Sequence, residues 1–461
     1  MTGPVVAGAH EFEAKLAAFV KESRLYGAAA GVVHGDDVAW HGGAGFADAV
    51  ARRRSSADTL YRIASITKTF TGAAIMQLRD AGELDLDDPA VKWIPELAGS
   101  ASPVAIGTVT IRRLLSHESG LVSEPPGTDF AAPEPAYEGV AARNLDRAAE
   151  IYTALAPNTQ PKYCNLGYQL LGEIVHRASG TGYPEYVAEQ ILQPLGMTST
   201  AFEPLGKGLA GRRATGYCPR AFSDELAVAP VMPPLWAEGG LWSTVTDICR
   251  WLSFQLTAHA EEPATSAVLA AATLKEMHKP RYLSDEDWTS AWGISWYAVR
   301  KDDVTWVQHS GGLPGFTANA CFDRKTRVGA IVLVNGIADA AALAMNLAGA
   351  ARGLVVASAP ELALPAPAPG DVRSLLGVYA PPDMGWLARL EWRDGRLTLV
   401  DSQNPEDQVQ LEPGAEPGTF TVTAGFRQSG EALGIRRRPD GTVVSVVLGG
   451  HTLVRLDPVA G

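Results

Sequence analysis

The chain has 461 residues, 46% of them hydrophobic and 20% charged, which places it among compact globular proteins and excludes a disordered or fibrous chain. Lys and Arg number 39 against 51 Asp and Glu, a net charge of −12, and the only basic runs are Arg52-Arg53-Arg54 and Arg436-Arg437-Arg438; this argues against a nucleic-acid partner. Residues 1–13 lack a basic stretch followed by a long apolar one, and no uninterrupted apolar run reaches the roughly 18 to 20 residues that span a bilayer. Cys164, Cys218, Cys249 and Cys321 are scattered, with neither a CxxC pair nor Cys/His metal spacing. The expectation is a cytoplasmic protein with free thiols, no metal, no cofactor and no membrane anchor.

In chain order, Phe12, Leu16, Phe19 and Val20 recur at helical spacing and predict a helix over Glu11 to Arg24. Ala28 to His34 and Val38 to Gly42 read as a β-hairpin turning at Asp36-Asp37. A second helix begins near Ser65 and runs through Phe70, Ala73, Ala74, Met76 and Leu78 to Gly82, which suits a C-terminal cap. Thr110 reads as the N-cap of Ile111 to Ser116, and Gly120 stops that helix. The Pro-, Gly- and acid-rich stretch Val122 to Tyr137 predicts a loop over a site. Helices are expected at Leu166 to Ser179, Tyr186 to Leu192 and Gly240 to Leu256. Strands follow at Val304 to His309, Ala318 to Phe322 and Gly329 to Asn335, then a closing helix, Ala340 to Leu354, capped by Asp339.

Helices at both ends of an antiparallel sheet, with a helical cluster inserted, predict an α+β fold: an α/β/α sandwich with an all-helical lobe, over residues 1–356. The Ala/Pro stretch 357–370 reads as a linker. Residues 371–461 show short alternating strands with turns at Arg393-Asp394-Gly395 and Pro439-Asp440-Gly441, the pattern of a small all-β barrel.

Ser65-Ile66-Thr67-Lys68 sets a hydroxyl and an amine on one helix face, since side chains three apart are neighbours. A serine hydroxyl is a weak nucleophile until a nearby base takes its proton, and a lysine serves as that base only when its surroundings disfavour the ammonium form. Alone, Ser-x-x-Lys arises by chance in chains of this length. It has company in order: Tyr163-Cys164-Asn165 leads a predicted helix and offers a phenol and a carboxamide on one side, because alternate residues of extended backbone share a face. His309-Ser310-Gly311-Gly312 ends a predicted strand where the glycines permit close approach of a substrate backbone.

With these motifs the sequence resembles the penicillin-binding protein and class C β-lactamase superfamily, with its SxxK, YxN and KTG-like motifs, over roughly Leu16 to Leu354. The flanking phrases Leu60-Tyr61-Arg62-Ile63-Ala64, Leu114-Leu115-Ser116-His117-Glu118-Ser119-Gly120, Pro194-Leu195-Gly196-Met197 and Glu238-Gly239-Gly240-Leu241-Trp242-Ser243-Thr244 carry it further. The tail, from Leu376-Gly377-Val378-Tyr379, resembles the lipocalin-like barrels appended to some members.

The resemblance implies that Ser65 forms an acyl-enzyme, that Lys68 and Tyr163 exchange its proton, that Asn165 assists Lys68, and that the N–H groups of Ser65 and Gly312 form the oxyanion hole. Ser310 and Gly311 would line the substrate cleft beside His309; Trp236 and Trp242 read either as lining the acyl pocket or as buried packing, and Arg389, Arg436 and Arg455 of the barrel either as carboxylate contacts or as solvated arginines. His117 reads as structural. Three departures matter: His309 replaces the KTG lysine, removing a permanent cation; Cys164 replaces the serine of the usual YSN; and Glu118, expected to be exposed, stands where Thr is commoner. The implied activity is a serine hydrolase cleaving an ester or peptide-like amide, of esterase or D-amino-acid peptidase type. Alternatives are an acyltransferase or a thioesterase that releases and cyclises a nonribosomal peptide, and an inactive binding homologue.

Overall fold

The computed structural model describes residues 4–124, 145, 147–219, 225–230, 235–263, 266–301, 303–358, 368–382, 387–393, 395–401, 408–414, 419–424 and 429–456. Most of the expected loop, from residue 125, and most of the expected linker, residues 359–367, lie outside these. The chain divides into two compact units, Met1–Ser358 and Ala359–Gly461.

The first unit is built on a nine-stranded antiparallel sheet. Its centre is β1 (Gly27–His34), β2 (Asp37–Asp48), β3 (Val304–Leu313), β4 (Phe316–Asp323) and β5 (Val328–Val334). The order is Arg53–Arg54, β2, β1, β5, β4, β3, Tyr297–Lys301, Ser290–Trp292 and Tyr282–Leu283. The N-terminal hairpin therefore joins the late strands through β1 and β5, with Ala30 opposite Val332. Strands covered on both faces read as continuous apolar runs, and β5 is buried at every position. The first hairpin turns at Gly35, which takes a φ of 59°, so Asp37 opens β2 rather than sitting in the turn. The return strand runs to Asp48, six residues beyond the expected Gly42.

On one face lie α1 (Ala9–Glu22) and α5 (Ala340–Ser358), which enclose Phe12, Leu16, Val332, Leu343 and Leu347. Asp339 caps α5 as expected, accepting from Ala342 N at 2.9 Å. By length and composition α5 could cross a membrane, although Asn346 and Arg352 interrupt its apolar run. Its buried residues, Ala340 to Ala351, instead pack on the sheet, as in a core helix. On the other face lie α2 (Thr67–Asp80), α3 (Asn165–Ser179) and α4 (Val245–Thr257) with the shorter helices of the lobe, around Phe70, Leu171, Trp251 and Leu333.

The predicted helix from Gly240 starts only at Val245, where the Thr244 hydroxyl accepts from Asp247 N. Trp242–Ser243 is instead a short strand paired with Tyr61–Arg62, the segment leading to Ser65. Tyr186 and Val187 end an α-helical turn from Tyr183, and residues 188–192 form a π-helical turn.

The second unit is a closed eight-stranded antiparallel barrel from Gly377–Ala380 to His451–Arg455, closed by pairing of Tyr379 with Arg455. Leu390, Leu411, Phe420 and Leu453 fill its interior with Tyr379, whose hydroxyl donates to Leu375 O at 2.7 Å.

Candidate active site

Ser65 sits in a single 3-10 turn, Ala64–Ile66, that runs into α2. Ala64 before it has a φ of 47°, a left-handed conformation that costs an L-residue about 1 kcal/mol and marks a turn held by its surroundings. Ile63 N donates to Leu241 O at 3.1 Å, and β3 closes the other side. A Cβ on Gly311 would stand 2.2 Å from Ile63 O, so only glycine lets β3 approach the nucleophile's turn this closely. Gly312, next along, has open space where a side chain would be, which leaves its backbone accessible to a substrate.

Lys68 is completely buried, one turn after Ser65. Its Nζ lies 3.0 Å from Ser65 Oγ, 2.7 Å from Asn165 Oδ1 and 2.6 Å from Glu238 O. The last two oxygens are acceptors only, so they claim two N–H bonds. The third position of the nitrogen faces the Ser65 hydroxyl, where the neutral amine presents its lone pair and the ammonium an N–H.

Asn165 is held from both ends. Its Nδ2 donates to Glu124 Oε1 at 2.6 Å, which orients Oδ1 toward Lys68. Burial raises the Glu124 carboxyl above the ordinary range, against the pull of Asn165, Lys68 and Lys162. Cys164 between Tyr163 and Asn165 is extended, and its Sγ accepts from Gly167 N at 3.1 Å, capping α3. Burial lifts its thiol to about 11, which removes it as a second nucleophile.

Tyr163 shares the side of the chain that faces Lys68, whose Nζ is 5.0 Å from the ring centroid. Among the described residues its hydroxyl has no hydrogen-bond partner, so the direct contact to Ser65 Oγ belongs to Lys68. The ring packs against His117 at 4.3 Å, and Trp292 meets His117 edge-on at 4.4 Å. His117 does not serve helix carbonyls, as a structural histidine at a helix end would. Its Nδ1 accepts from Cys164 N at 3.1 Å, and its own carbonyl accepts from Lys162 N at 2.8 Å. His117 thus clamps the Tyr163-Cys164-Asn165 segment from a left-handed backbone position, φ 60°. Glu118 beside it is buried rather than exposed.

His309 is 3% exposed, with Nδ1 against Ser310 O at 2.7 Å. The proton on Nδ1 leaves Nε2 as an acceptor, buried and without a partner among the described residues. Burial, with Lys68 nearby, lowers its pKa to about 3. The lysine of the family motif is thus replaced by a neutral acceptor. Ser310 is exposed, and its Oγ accepts from Asn319 Nδ2 at 2.8 Å.

Ser65, Lys68, Tyr163, Asn165, His309 and the two glycines are therefore brought to one place. Trp236 borders a separate cavity of about 250 Å³ with Gln169, Tyr183 and Glu238, whose lining does not include Ser65. Trp242 is buried, donating from Nε1 to Glu203 Oε1 at 3.1 Å. Arg455 lies in the barrel and donates to Ser374 O and Leu376 O of that unit, at 2.8 and 2.7 Å. Its guanidinium anchors the barrel's own backbone. Sequence reasoning missed Glu124 and the Glu238 carbonyl. Only the position of Glu124, four residues past Gly120 in a matched phrase, could have pointed to it.

A protein-family model described as Beta-lactamase matches residues 12–352. The chain belongs to the beta-lactamase family. Among relatives, Beta-lactamase-like protein 2 of Dictyostelium discoideum is 29% identical over 67% of this chain, which spans only 56% of that protein's length. The D-alanyl-D-alanine-carboxypeptidase/endopeptidase AmpH of Escherichia coli strain K12 is 30% identical over 61% of this chain and 72% of its own. Among solved structures, the octameric penicillin-binding protein homologue from Pyrococcus abyssi superposes with a TM-score of 0.63 at 22% identity, covering 97% of this chain and 99% of that one. The D-amino acid amidase from Ochrobactrum anthropi SV3, complexed with L-phenylalanine amide, gives 0.60 at 23% identity over 76% and 97%. Both structures share the beta-lactamase-family fold with this chain.

Proposed function

We propose that this chain is a serine hydrolase that forms an acyl-enzyme on Ser65 and cleaves an ester or a peptide-like amide. The observation that carries the reading is the Lys68 amine, buried 3.0 Å from Ser65 Oγ with two acceptor-only oxygens on its other side. Lys68 takes the Ser65 proton as Oγ bonds to the substrate carbonyl carbon. The N–H groups of Ser65 and Gly312 stabilise the oxyanion, an effect that reaches about 3 kcal/mol per donor. Tyr163, whose hydroxyl is free among the described residues, passes a proton to the leaving group. The Lys68 ammonium returns its proton to the Tyr163 phenolate; water then attacks the acyl carbon while the neutral Lys68 amine takes its proton and hands it to Ser65 Oγ as the acyl–oxygen bond breaks, which releases the acid and restores Ser65.

The neutral His309 shapes the choice of substrate. It can accept a hydrogen bond but cannot pair with the carboxylate of a β-lactam or a peptide C-terminus, so amides and esters without that group fit better. A peptidase name for the Escherichia coli relative and an amidase name for the Ochrobactrum structure agree with acyl transfer from an amide. The test is a panel of D- and L-amino-acid amides, short-chain esters and a chromogenic cephalosporin, with wild type and Ser65→Ala. Turnover of amides or esters that Ser65→Ala abolishes supports the reading; turnover that persists in Ser65→Ala, or turnover of the cephalosporin alone, contradicts it.

A further inference from the structure

Asn319 of β4 stands directly across from Ser310 of β3, so the two side chains share one face of the sheet. Asn319 is completely buried, and its Nδ2 donates to Gln308 Oε1 at 3.0 Å and to Ser310 Oγ at 2.8 Å. Those two acceptors use both N–H bonds of the amide nitrogen. With Gln308 as it stands, a carboxamide turned end for end would set two oxygens against each other, so the Gln308 bond fixes which end meets Ser310.

Ser310 is exposed between buried His309 and buried Gly311, and among the described residues Asn319 is the hydrogen-bond partner of its hydroxyl. A serine hydroxyl that turns freely can donate or accept. Because Oγ here accepts from Asn319, the O–H is left to donate elsewhere.

The place where it donates is set by β3. Tyr297–Lys301 pairs with Val304–Gln308, and among the described residues no strand pairs with that edge of β3 from His309 to Leu313. Ser310 shares its side of the strand with Gly312, where the space is open. A peptide-like substrate laid on this free edge antiparallel, as both neighbours of β3 are paired, runs in its C-terminal direction from Gly312 toward Ser310. With the scissile carbonyl at Gly312 N, the part that passes Ser310 is the leaving amine.

We propose that Asn319 is a positioning residue that fixes the Ser310 hydroxyl as a hydrogen-bond donor to a carbonyl oxygen in the substrate's leaving group, so that the enzyme prefers amides whose amine is itself an amino-acid amide. The proposal rests on the Ser65 acyl-enzyme reading for its catalytic consequence. Asn319→Asp inverts the arrangement, since an ionised carboxylate only accepts and draws the Ser310 O–H to itself. Asn319→Ala frees the hydroxyl without inverting it.

The experiment compares kcat and KM for acetyl-alanyl-alanine amide and acetyl-alanine ethylamide, in the D and L series. The two differ in the leaving-group carbonyl. Wild type is expected to favour the first in kcat/KM by about tenfold, the scale of one well-placed hydrogen bond. That preference should be lost in Asn319→Asp and in Ser310→Ala, fall about threefold in Asn319→Ala, and change through KM rather than kcat. Adding either Asn319 substitution to Ser310→Ala should lower it no further. A purely structural Asn319 would instead lower kcat for both amides alike. That result, no preference in wild type, a preference that survives Asn319→Asp, or additive losses overturn the proposal. If Asn319→Asp does not fold, additivity of Asn319→Ala with Ser310→Ala decides. If wild type turns over neither amide, the Ser65 reading fails for amides, and calorimetric titration of acetyl-alanyl-alanine amide decides for Asn319: binding weakened in Asn319→Ala and Ser310→Ala upholds its role, and equal or absent binding overturns it.

Discussion

Glu124 Oε1 accepts from Asn165 Nδ2 at 2.6 Å, and that bond decides which end of the carboxamide meets Lys68. Glu124→Ala frees the amide to rotate and present its NH2 group to the lysine. We expect kcat to fall about tenfold with KM little changed, since the loss falls on the geometry of the base. Glu124→Gln keeps an acceptor oxygen and is expected to retain most of the activity. Steady-state kinetics of the three proteins with one ester substrate check this; equal kcat in all three would remove Glu124 from the account.

His309 yields a pH prediction with a definite sign. Its folded pKa of about 3 lies below the ordinary 6.5 of the unfolded chain. Above pH 6.5 neither state binds the proton, and below it only the unfolded state does, so stability is lost progressively as pH falls from 6.5 toward 3. The contribution of this one buried group is on the order of 1 kcal/mol per pH unit in that window. Urea unfolding of wild type and His309→Gln between pH 7 and 5 checks it: the wild-type slope should be the steeper. His309 also stays neutral through the working range, so kcat/KM should show no acid limb near 6.5 that disappears in His309→Gln.

Gly311 allows no side chain. A Cβ placed 2.2 Å from Ile63 O must push β3 away from the turn that carries Ser65. Gly311→Ala is expected to lower kcat/KM by about two orders of magnitude, the scale of a misplaced reacting group, while far-ultraviolet circular dichroism keeps its native form. Wild-type kinetics in Gly311→Ala would contradict the close approach.

How much of this was legible follows from the range of each signal. Ser65 with Lys68, and Tyr163 with Asn165, are pairs set by local backbone periods of one helical turn and one extended step, so sequence spacing sufficed to place them together. The lobe, the sheet and the barrel were legible in the same way, from alternating patterns and caps such as Thr110 and Asp339. Glu124 reaches Asn165 from 41 residues away and the Glu238 carbonyl reaches Lys68 from 170, where no local pattern operates. Trp242 was read into a helix because its neighbours are apolar; its pairing with Arg62, 180 residues earlier, makes it a strand. His117 reads as structural from the sequence, but which group it holds is not legible there, since its partner is a backbone N–H, which every residue but proline carries.

Cys164 tests the local structure of the YxN segment. As the cap of α3, its thiol should be replaceable by a hydroxyl. Cys164→Ser is expected to keep stability within a few tenths of a kcal/mol, and Cys164→Ala to lose about 1 kcal/mol by urea unfolding. With the thiol pushed to about 11, iodoacetamide at pH 8 should leave Cys164 unmodified in the folded protein. Rapid alkylation there would contradict its burial.

The central claim is that buried Lys68 activates Ser65, and labelling with a fluorophosphonate followed by intact and peptide mass spectrometry addresses it most directly. The account predicts one adduct, on Ser65, absent in Ser65→Ala, and formed about a thousandfold more slowly in a folded Lys68→Ala. An adduct on another residue, or labelling of Lys68→Ala at the wild-type rate, would contradict it.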